Sequence, residues 1–543
     1  MSMDESEIHR RLAGFEPVRF DDVREELAAE PARKAFALRA VAISDLHAAM
    51  ADLAELAKLE KYENERTNER IRALAVLIEG GIPAIEALKG MTLAAAHRGN
   101  LEQTVVTASE LYGLAAIPMG RAVDDHARRS MRYVHDADIE RAIERVSWIA
   151  HPIERTPSST LRPRVFVLSS SMNDEDVPAI VCRAWARGLR ERGWDVAVAC
   201  TQPREWFAET QVLRSYLADG FELIFAPDAP YVKRIEALIA AFEAKPAHLA
   251  FFALSATDVI GKLFGDLGIA RAQITHNFSF TPHVGRYDVI LNDADPDQET
   301  LTRWPGKSRS IGRMIAAAPE IDRSKPFDFR TVNIPVGAVV LGTFGRSEKC
   351  CSPEYLQTLP ELLLRAPEAY LVIAGPMNQA QAGSLSAAFN ASRVVERVRV
   401  LGARPSQSAA LVRGIDIYCD TMPFSDGQSL LDAMQAGKPI VAARRTLDTD
   451  LEPSGRGGTS SVAESVLEPH VELAAAGDSE SYIRLALAYV RDPARRARDG
   501  ELLGRVAREE MPYDGYMDKL DRLFRQTVAA KFGGAFAVSE MPT

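Results

Sequence analysis

The residues with the most chemical promise lie in 414–444, GIDIYCDTMPFSDGQSLLDAMQAGKPIVAAR. The pattern predicts a strand, a polar loop, a helix over 430–436, a Gly-Lys-Pro turn and a second strand. Gly427, Gln428 and Ser429 open that helix, where free backbone N–H groups and the positive end of the helix dipole favour a phosphate. Asp432, one turn further on, has the acceptor capacity for ribose hydroxyls. Taken alone, the segment fits an ordinary strand-loop-helix with a capping serine equally well. A second cationic stretch, Phe344-Gly345-Arg346-Ser347-Glu348-Lys349, follows an apolar run and offers two cations to a phosphate, and Arg404 and Arg413 are further candidates for phosphate or base. His276 directly follows another apolar run and is the first choice for moving a proton, with Asp174 and Asp176 behind it. A histidine at a strand end is equally often a packing residue.

Other chemistries are disfavoured. Neither of the strands that open the two α/β regions is followed by Gly-x-Gly-x-x-Gly; Ser169-Ser170-Ser171-Met172 and Thr343-Phe344-Gly345-Arg346 stand there instead, against a dinucleotide enzyme. None of the ten histidines forms His-Glu-x-x-His, and the five cysteines are too scattered for a disulfide framework or a Cys-x-x-Cys site. Asp174-Glu175-Asp176 and Asp293-Ala294-Asp295 have the spacing to hold a divalent ion, but both belong to the first α/β region, away from the expected phosphate site. No metal and no bound cofactor are therefore expected. With 65 Lys+Arg against 75 Asp+Glu, the formal charge of -10 argues against a nucleic-acid partner. No apolar run is long enough for a membrane span, and the opening MSMDESEIHR is unlike a secretory leader, so the expected location is cytoplasmic.

These candidates need a scaffold, and its outline is legible. Residues 1–155 carry helical periodicity and no convincing strand, with apolar positions three and four apart over 32–61 and Asp138 placed to cap a last helix. They predict an all-helical domain whose plainest role is docking or packing. After the Pro/Ser-rich linker 156–163 the character changes. Apolar runs at 165–168, 196–199, 223–225, 249–253, 273–275 and 289–291 alternate with helical lengths and predict a first doubly wound lobe over 163–325. Runs at 339–341, 370–374, 398–401, 415–418 and 439–441 predict a second lobe over 326–505. Residues 506–543 read as a C-terminal helix and tail that cross back to brace the lobes. The fold class is α/β, with two Rossmann-like lobes and a cleft between them.

One family unites these signals. The stretch Asp420-Thr421, Pro423, Gly427, Ser429, Asp432-Ala433, Gly437 and Pro439-Ile440-Val441 resembles a motif of the GT-B glycosyltransferases that include protein O-GlcNAc transferases and adhesin N-glucosyltransferases. It differs in a run one residue shorter between Gly427 and Asp432 and in one hydroxyl where two threonines are common. Phe344 to Lys349, then Pro353, Leu359-Pro360, Leu362-Leu363, Ala366-Pro367 and Tyr370-Leu371, resembles the family's lysine element, with one extra residue before Pro353. Ile269 to Ile274 and Tyr287 to Asp293 resemble a first-lobe element whose glycine-rich loop is here replaced by residues 276–283.

The resemblance implies a GT-B fold and transfer of a hexose or N-acetylhexosamine from a UDP-sugar to a protein or glycan acceptor, inverting and metal-independent. Lys349 would bind the nucleotide phosphates, with Arg346 as a substitute. The family's first-lobe histidine has no counterpart between Ser171 and Ala184, so a base is not carried over. Two other readings stand beside it: a retaining glycosyltransferase of the two-glutamate family, acting on a glycan or lipid-linked acceptor, in which Asp432 matches the second acidic position but Phe424 stands where the first acid belongs, and a non-catalytic binding platform built on a sugar-nucleotide fold.

Overall fold

The computed structural model describes residues 82–116, 136–147, 162–174, 177–254, 258–276, 286–292, 306–312, 323–345, 347–375, 379–402, 404, 407–422, 427–444 and 462–532. The apolar stripe expected over 32–61 lies outside them. The described residues begin with α1 (Ile82–His97), α2 (Leu101–Ala116) and α3 (Ala137–Ser147). The cap of α3 is Asp136, whose carboxylate accepts from the backbone N–H groups of Asp138 and Ile139. The expected cap, Asp138, instead pairs with Lys89 at 3.1 Å and with Arg141. Asp136 wins because an N-cap must precede the first helical residue for its oxygen to reach the N–H groups ahead.

The first α/β unit contains β1 (Arg164–Ser169), α4 (Val177–Glu191), β2 (Asp195–Pro203), α5 (Gln211–Ala218), β3 (Glu222–Ala226), α6 (Tyr231–Ala244), β4 (Leu249–Ala253), α7 (Val259–Leu267), β5 (Ala272–His276), β6 (Val289–Asn292) and β7 (Ser308–Ser310). All pairings are parallel, in the order β3-β2-β1-β4-β5-β6-β7. Residues 164–169 and 249–253 are buried throughout, as strands covered on both faces must be. β7, Ser-Arg-Ser, escaped the sequence reading because an edge strand of polar residues carries no apolar signal.

The second unit contains β8 (Val339–Phe344), α8 (Ser347–Cys350), α9 (Pro353–Arg365), β9 (Ala369–Ala374), α10 (Gln379–Ala391), β10 (Val398–Gly402), α11 (Ser408–Gly414), β11 (Ile417–Cys419), α12 (Gly427–Gln435), β12 (Ile440–Val441), α13 (Val462–Leu467), α14 (Ser479–Arg491) and α15 (Pro493–Glu510). Its sheet runs β10-β9-β8-β11-β12, again parallel. At its carboxyl edge Gly345 N–H donates to Ala374 O at 3.1 Å, and Gly375 N–H to Gly402 O at 3.0 Å. A Cβ on Gly375 would land on the carbonyl oxygen of Gly345. The ends of β8 and β9 thus meet backbone to backbone, with no side chain between them.

The first and the last of the described helices both cover the first sheet. Leu88, Val105, Leu111, Ile139 and Ile143 share one core with Phe166, Leu168, Phe252 and Leu263, so α1 to α3 form an outer layer over α7. The last helix, α16 (Tyr513–Phe532), buries Tyr516, Met517, Leu520, Phe524 and Val528 on the opposite face of the same sheet. Trp194 Nε1 donates to Asp521 at 2.6 Å, Tyr513 OH to Ala184 O at 2.7 Å, and Lys531 pairs with Asp288 at 2.7 Å. Each such buried apolar side chain contributes about 1.5–3 kcal/mol. α15 belongs to the core of the second unit, through Leu503, Val506 and Ala507. The turn before Tyr513 therefore carries the chain back from one lobe to the other.

The seam between α3 and α7 contains a buried acid. Asp266, 8% exposed, accepts from the Ser147 hydroxyl at 3.4 Å. Burial pushes its carboxyl up to about 7, helped by the charge of Glu144. Folded Asp266 therefore holds its proton more tightly than the unfolded chain does. Its contribution to stability is complete below pH 3.8 and is lost as pH rises to about 7. Asp266→Asn should abolish that decline, which melting curves between pH 4 and pH 8 will check: the variant gains on the wild type across this window. Gly375→Ala forces two backbones apart and should cost about 1–3 kcal/mol; an unchanged denaturation midpoint would show that the strand ends can separate freely.

Candidate active site

In open parallel sheets, ligands bind beyond the carboxyl ends of the strands, where the order reverses direction. The second sheet reverses between β8 and β11, because β9 and β10 lie on one side of β8 while β11 and β12 lie on the other. Two sequence elements about 80 residues apart follow the strands on either side of this point. Lys349, half-buried, follows β8 on the short α8, and Gly427, Gln428 and Ser429 begin the helix after β11.

Hydroxyl groups tie the two strand ends together. Ser352, next to α8, donates to Met422 O. Tyr355 OH donates to Cys419 O at 2.9 Å, Tyr482 OH to Asp420 O at 2.7 Å, and Tyr418 OH to Phe344 O at 3.3 Å. Ser352, Tyr355, Tyr418 and Tyr482 are all buried, so each bond forms out of reach of water. The sequence reading missed these tyrosines as supports; their only signal was a buried aromatic next to a candidate loop.

α12 is fixed from below. Its apolar face, Leu430, Leu431, Ala433 and Met434, is buried, and the helix ends at Gly437 with φ 67°. That left-handed residue lets Gly437 N–H reach Met434 O and Lys438 N–H reach Ala433 O. Gly500 of α15 packs on the Gly437 carbonyl. The first turn of α12 is half-buried. Gln428 Nε2 donates to Asp432 Oδ1 at 2.8 Å, so the carboxylate expected to meet a ribose also orients the side chain of the residue one turn before it.

The remaining candidates are dispersed. Arg404 follows β10, the edge strand two places from the reversal, and donates to Leu401 O at 3.1 Å and Gln407 Oε1 at 3.0 Å. Arg346 lies outside the described residues, as do Glu175, Asp176 and the triplet 293–295. Among the described residues, no three His, Cys, Asp or Glu side chains gather as a metal site. All five cysteines are free thiols.

The first sheet reverses between β1 and β4. Asp174, after β1, is a helix cap: its two oxygens accept from Gln211 N–H at 2.9 Å and Val212 N–H at 2.7 Å at the start of α5. His276 ends β5, is 4% exposed, and packs against Trp185 with ring centroids 4.8 Å apart. The histidine is thus a packed ring among the described residues, the plainer of the two roles the sequence allowed. At the reversal itself stands Asp258. It accepts from Thr201 Oγ1 at 2.6 Å, from Gly261 N–H at 2.8 Å and from the Ser170 hydroxyl. Sequence reasoning passed over it; the available signal was an acid between an apolar run and a helix.

No protein-family model matches the sequence. No curated protein matches it either. Solved structures do match in fold. A point mutant of the O-GlcNAc transferase of Thermobaculum terrenum superposes over 98% of this chain and 99% of its own, with a TM-score of 0.54 and 17% identity. HepE of Anabaena, in complex with UDP and glucose, matches over 67% of this chain and 100% of its own, with a TM-score of 0.52 and 15% identity. The sucrose-phosphate synthase of Thermosynechococcus elongatus matches over 68% and 100%, with a TM-score of 0.51 and 14% identity. At these identities the likeness is one of architecture, and that architecture is GT-B: two parallel α/β lobes, here with helices from both chain ends on the first.

Proposed function

We propose that this protein is a glycosyltransferase that moves a hexose or N-acetylhexosamine from a UDP-sugar to a protein or glycan acceptor, with inversion and without a metal. The observation that supports the reading is that Lys349 and the α12 N-terminus follow the two neighbouring strands, β8 and β11, that flank one strand reversal. A nucleoside diphosphate is the ligand that suits a cation beside free backbone N–H groups. The shared architecture supports it, since HepE is seen with UDP and glucose and the Thermobaculum protein is an O-GlcNAc transferase.

As the bond from the anomeric carbon to the diphosphate breaks, negative charge grows on the leaving oxygen. Lys349 and the first turn of α12 stabilise that charge from fixed positions, with Arg346 as a further cation. Asp432 accepts from the ribose hydroxyls while Gln428 holds it. The acceptor approaches from the first lobe, on the face of the sugar opposite the leaving group. Inversion makes the product anomer the reverse of the donor's; retention of configuration would favour the two-glutamate alternative.

Lys349→Ala should weaken use of a UDP-sugar at least tenfold, about 1.4 kcal/mol, because a charge-assisted phosphate contact is worth that or more. Calorimetric titration with UDP and donor turnover will measure it, and unchanged values in a folded variant would remove Lys349 from the site. Chelation with EDTA should leave turnover within about twofold, since cationic side chains and a helix dipole do the work of a metal. Complete loss restored by Mg²⁺ or Mn²⁺ would contradict the assignment and return attention to the acidic triplets at 174–176 and 293–295.

A further inference from the structure

We infer that Asp258 takes the proton from a hydroxyl acceptor, with Thr201 and Ser170 holding its carboxylate in place. This rests on the glycosyltransfer reading above and adds the group that activates the nucleophile. Three strands converge on this side chain. Ser170 directly follows β1, Thr201 lies on β2, and Asp258 follows β4, so the hydrogen bonds cross the reversal point of the first sheet. The corresponding point of the second sheet holds Lys349 and the α12 N-terminus. Each lobe thus brings its chemical groups to the place where its own topology opens a crevice.

The two oxygens of Asp258 have different partners. Oδ1 accepts from the Gly261 backbone N–H and anchors the residue to α7. Oδ2 accepts from the Thr201 hydroxyl at 2.6 Å, and a hydroxyl donor keeps lone pairs that can receive another hydroxyl. Asp174, by contrast, spends both oxygens on backbone N–H groups of α5. Asp258 is half-buried, and burial pushes its carboxyl above the usual range, toward the pH at which a base is most effective. The charged and titratable groups around it are Lys262 on the next turn of α7, whose ammonium burial lowers, and Tyr287 before β6. Glu140 of α3 acts on Lys262 from the other side, and the Tyr112 ring of α2 lies 3.8 Å from the Lys262 ammonium.

The step balances without a further reactant. The acceptor O–H bond breaks and its proton passes to Asp258. The oxygen lone pair forms the bond to the anomeric carbon, and the pair of the broken C–O bond leaves with UDP. Asp258 then returns the proton to solvent.

The test measures UDP release from UDP-glucose and UDP-N-acetylglucosamine with water as the hydroxyl acceptor, for wild type, Asp258→Asn and Asp258→Glu. The amide of Asn keeps an oxygen for Gly261 N–H, so the α7 cap survives. Asp258→Asn should release UDP at least about 100-fold more slowly, with UDP affinity unchanged within twofold. The wild-type rate should fall on acidification with a midpoint above about pH 4, a limb that Asp258→Asn lacks and Asp258→Glu retains. A merely structural cap would leave that limb in place in Asp258→Asn. If the wild type releases UDP and Asp258→Asn matches it, the role of Asp258 is overturned and the glycosyltransfer reading stands. If the wild type releases UDP from neither donor, the reading itself has failed and takes the inference with it.

Discussion

The order of strands in a parallel sheet fixes where side chains from distant parts of the chain can meet. In the second lobe the chain builds β8, moves outward through β9 and β10, then returns to the other flank of β8 with β11 and β12. Two neighbouring strands are thereby left with connections that diverge to opposite flanks, and a crevice opens at their carboxyl ends. Lys349 follows β8 and the first turn of α12 follows β11, so this return sets both beside the reversal. The tyrosine and serine hydrogen bonds that anchor the end of β11 to β8, to the start of α9 and to α14 hold these ends in place, because a buried carbonyl left without its donor would cost about 1–3 kcal/mol.

The two lobes furnish their crevices differently. The second sheet presents glycines beyond β8 and β9 and at the end of β10, and a helix N-terminus, all of which let backbone groups approach a ligand closely. Such a surface suits a large anion that needs many donors and little specificity of shape. The first sheet presents Ser170, Thr201 and Asp258, groups that exchange hydrogen bonds and protons with a hydroxyl.

The first lobe is also the more heavily covered. α1 to α3 lie over α7 on one face and α16 lies on the other, so both ends of the described chain contribute to one core. The helical segment is thus an integral layer, and it reaches toward the crevice through Glu140 and Tyr112, which surround Lys262 beside Asp258. Among the described residues, α1 to α3 pack on the first lobe.

How much was legible in the sequence depended on whether the cause was local. The apolar runs from 165–168 to 439–441 all coincide with strands, and inner ones such as 165–168 and 249–253 are apolar along their length because both of their faces are buried. The helix opening at Gly427 and its end at Gly437 were likewise written in glycine and hydrogen-bond geometry within a few residues. Resemblance in three short elements pointed to the GT-B architecture. The sequence could not say that Asp136 and not Asp138 caps α3, since the choice turns on a single residue of offset. Nor could it say that His276 would pack beneath Trp185. Asp258 was invisible for a stronger reason: its partners Ser170 and Thr201 lie 88 and 57 residues away, and only the order in which β1, β2 and β4 pair brings them together. Local propensity chooses the elements, while the burial of both faces of each sheet chooses their neighbours, and the site is made of neighbours.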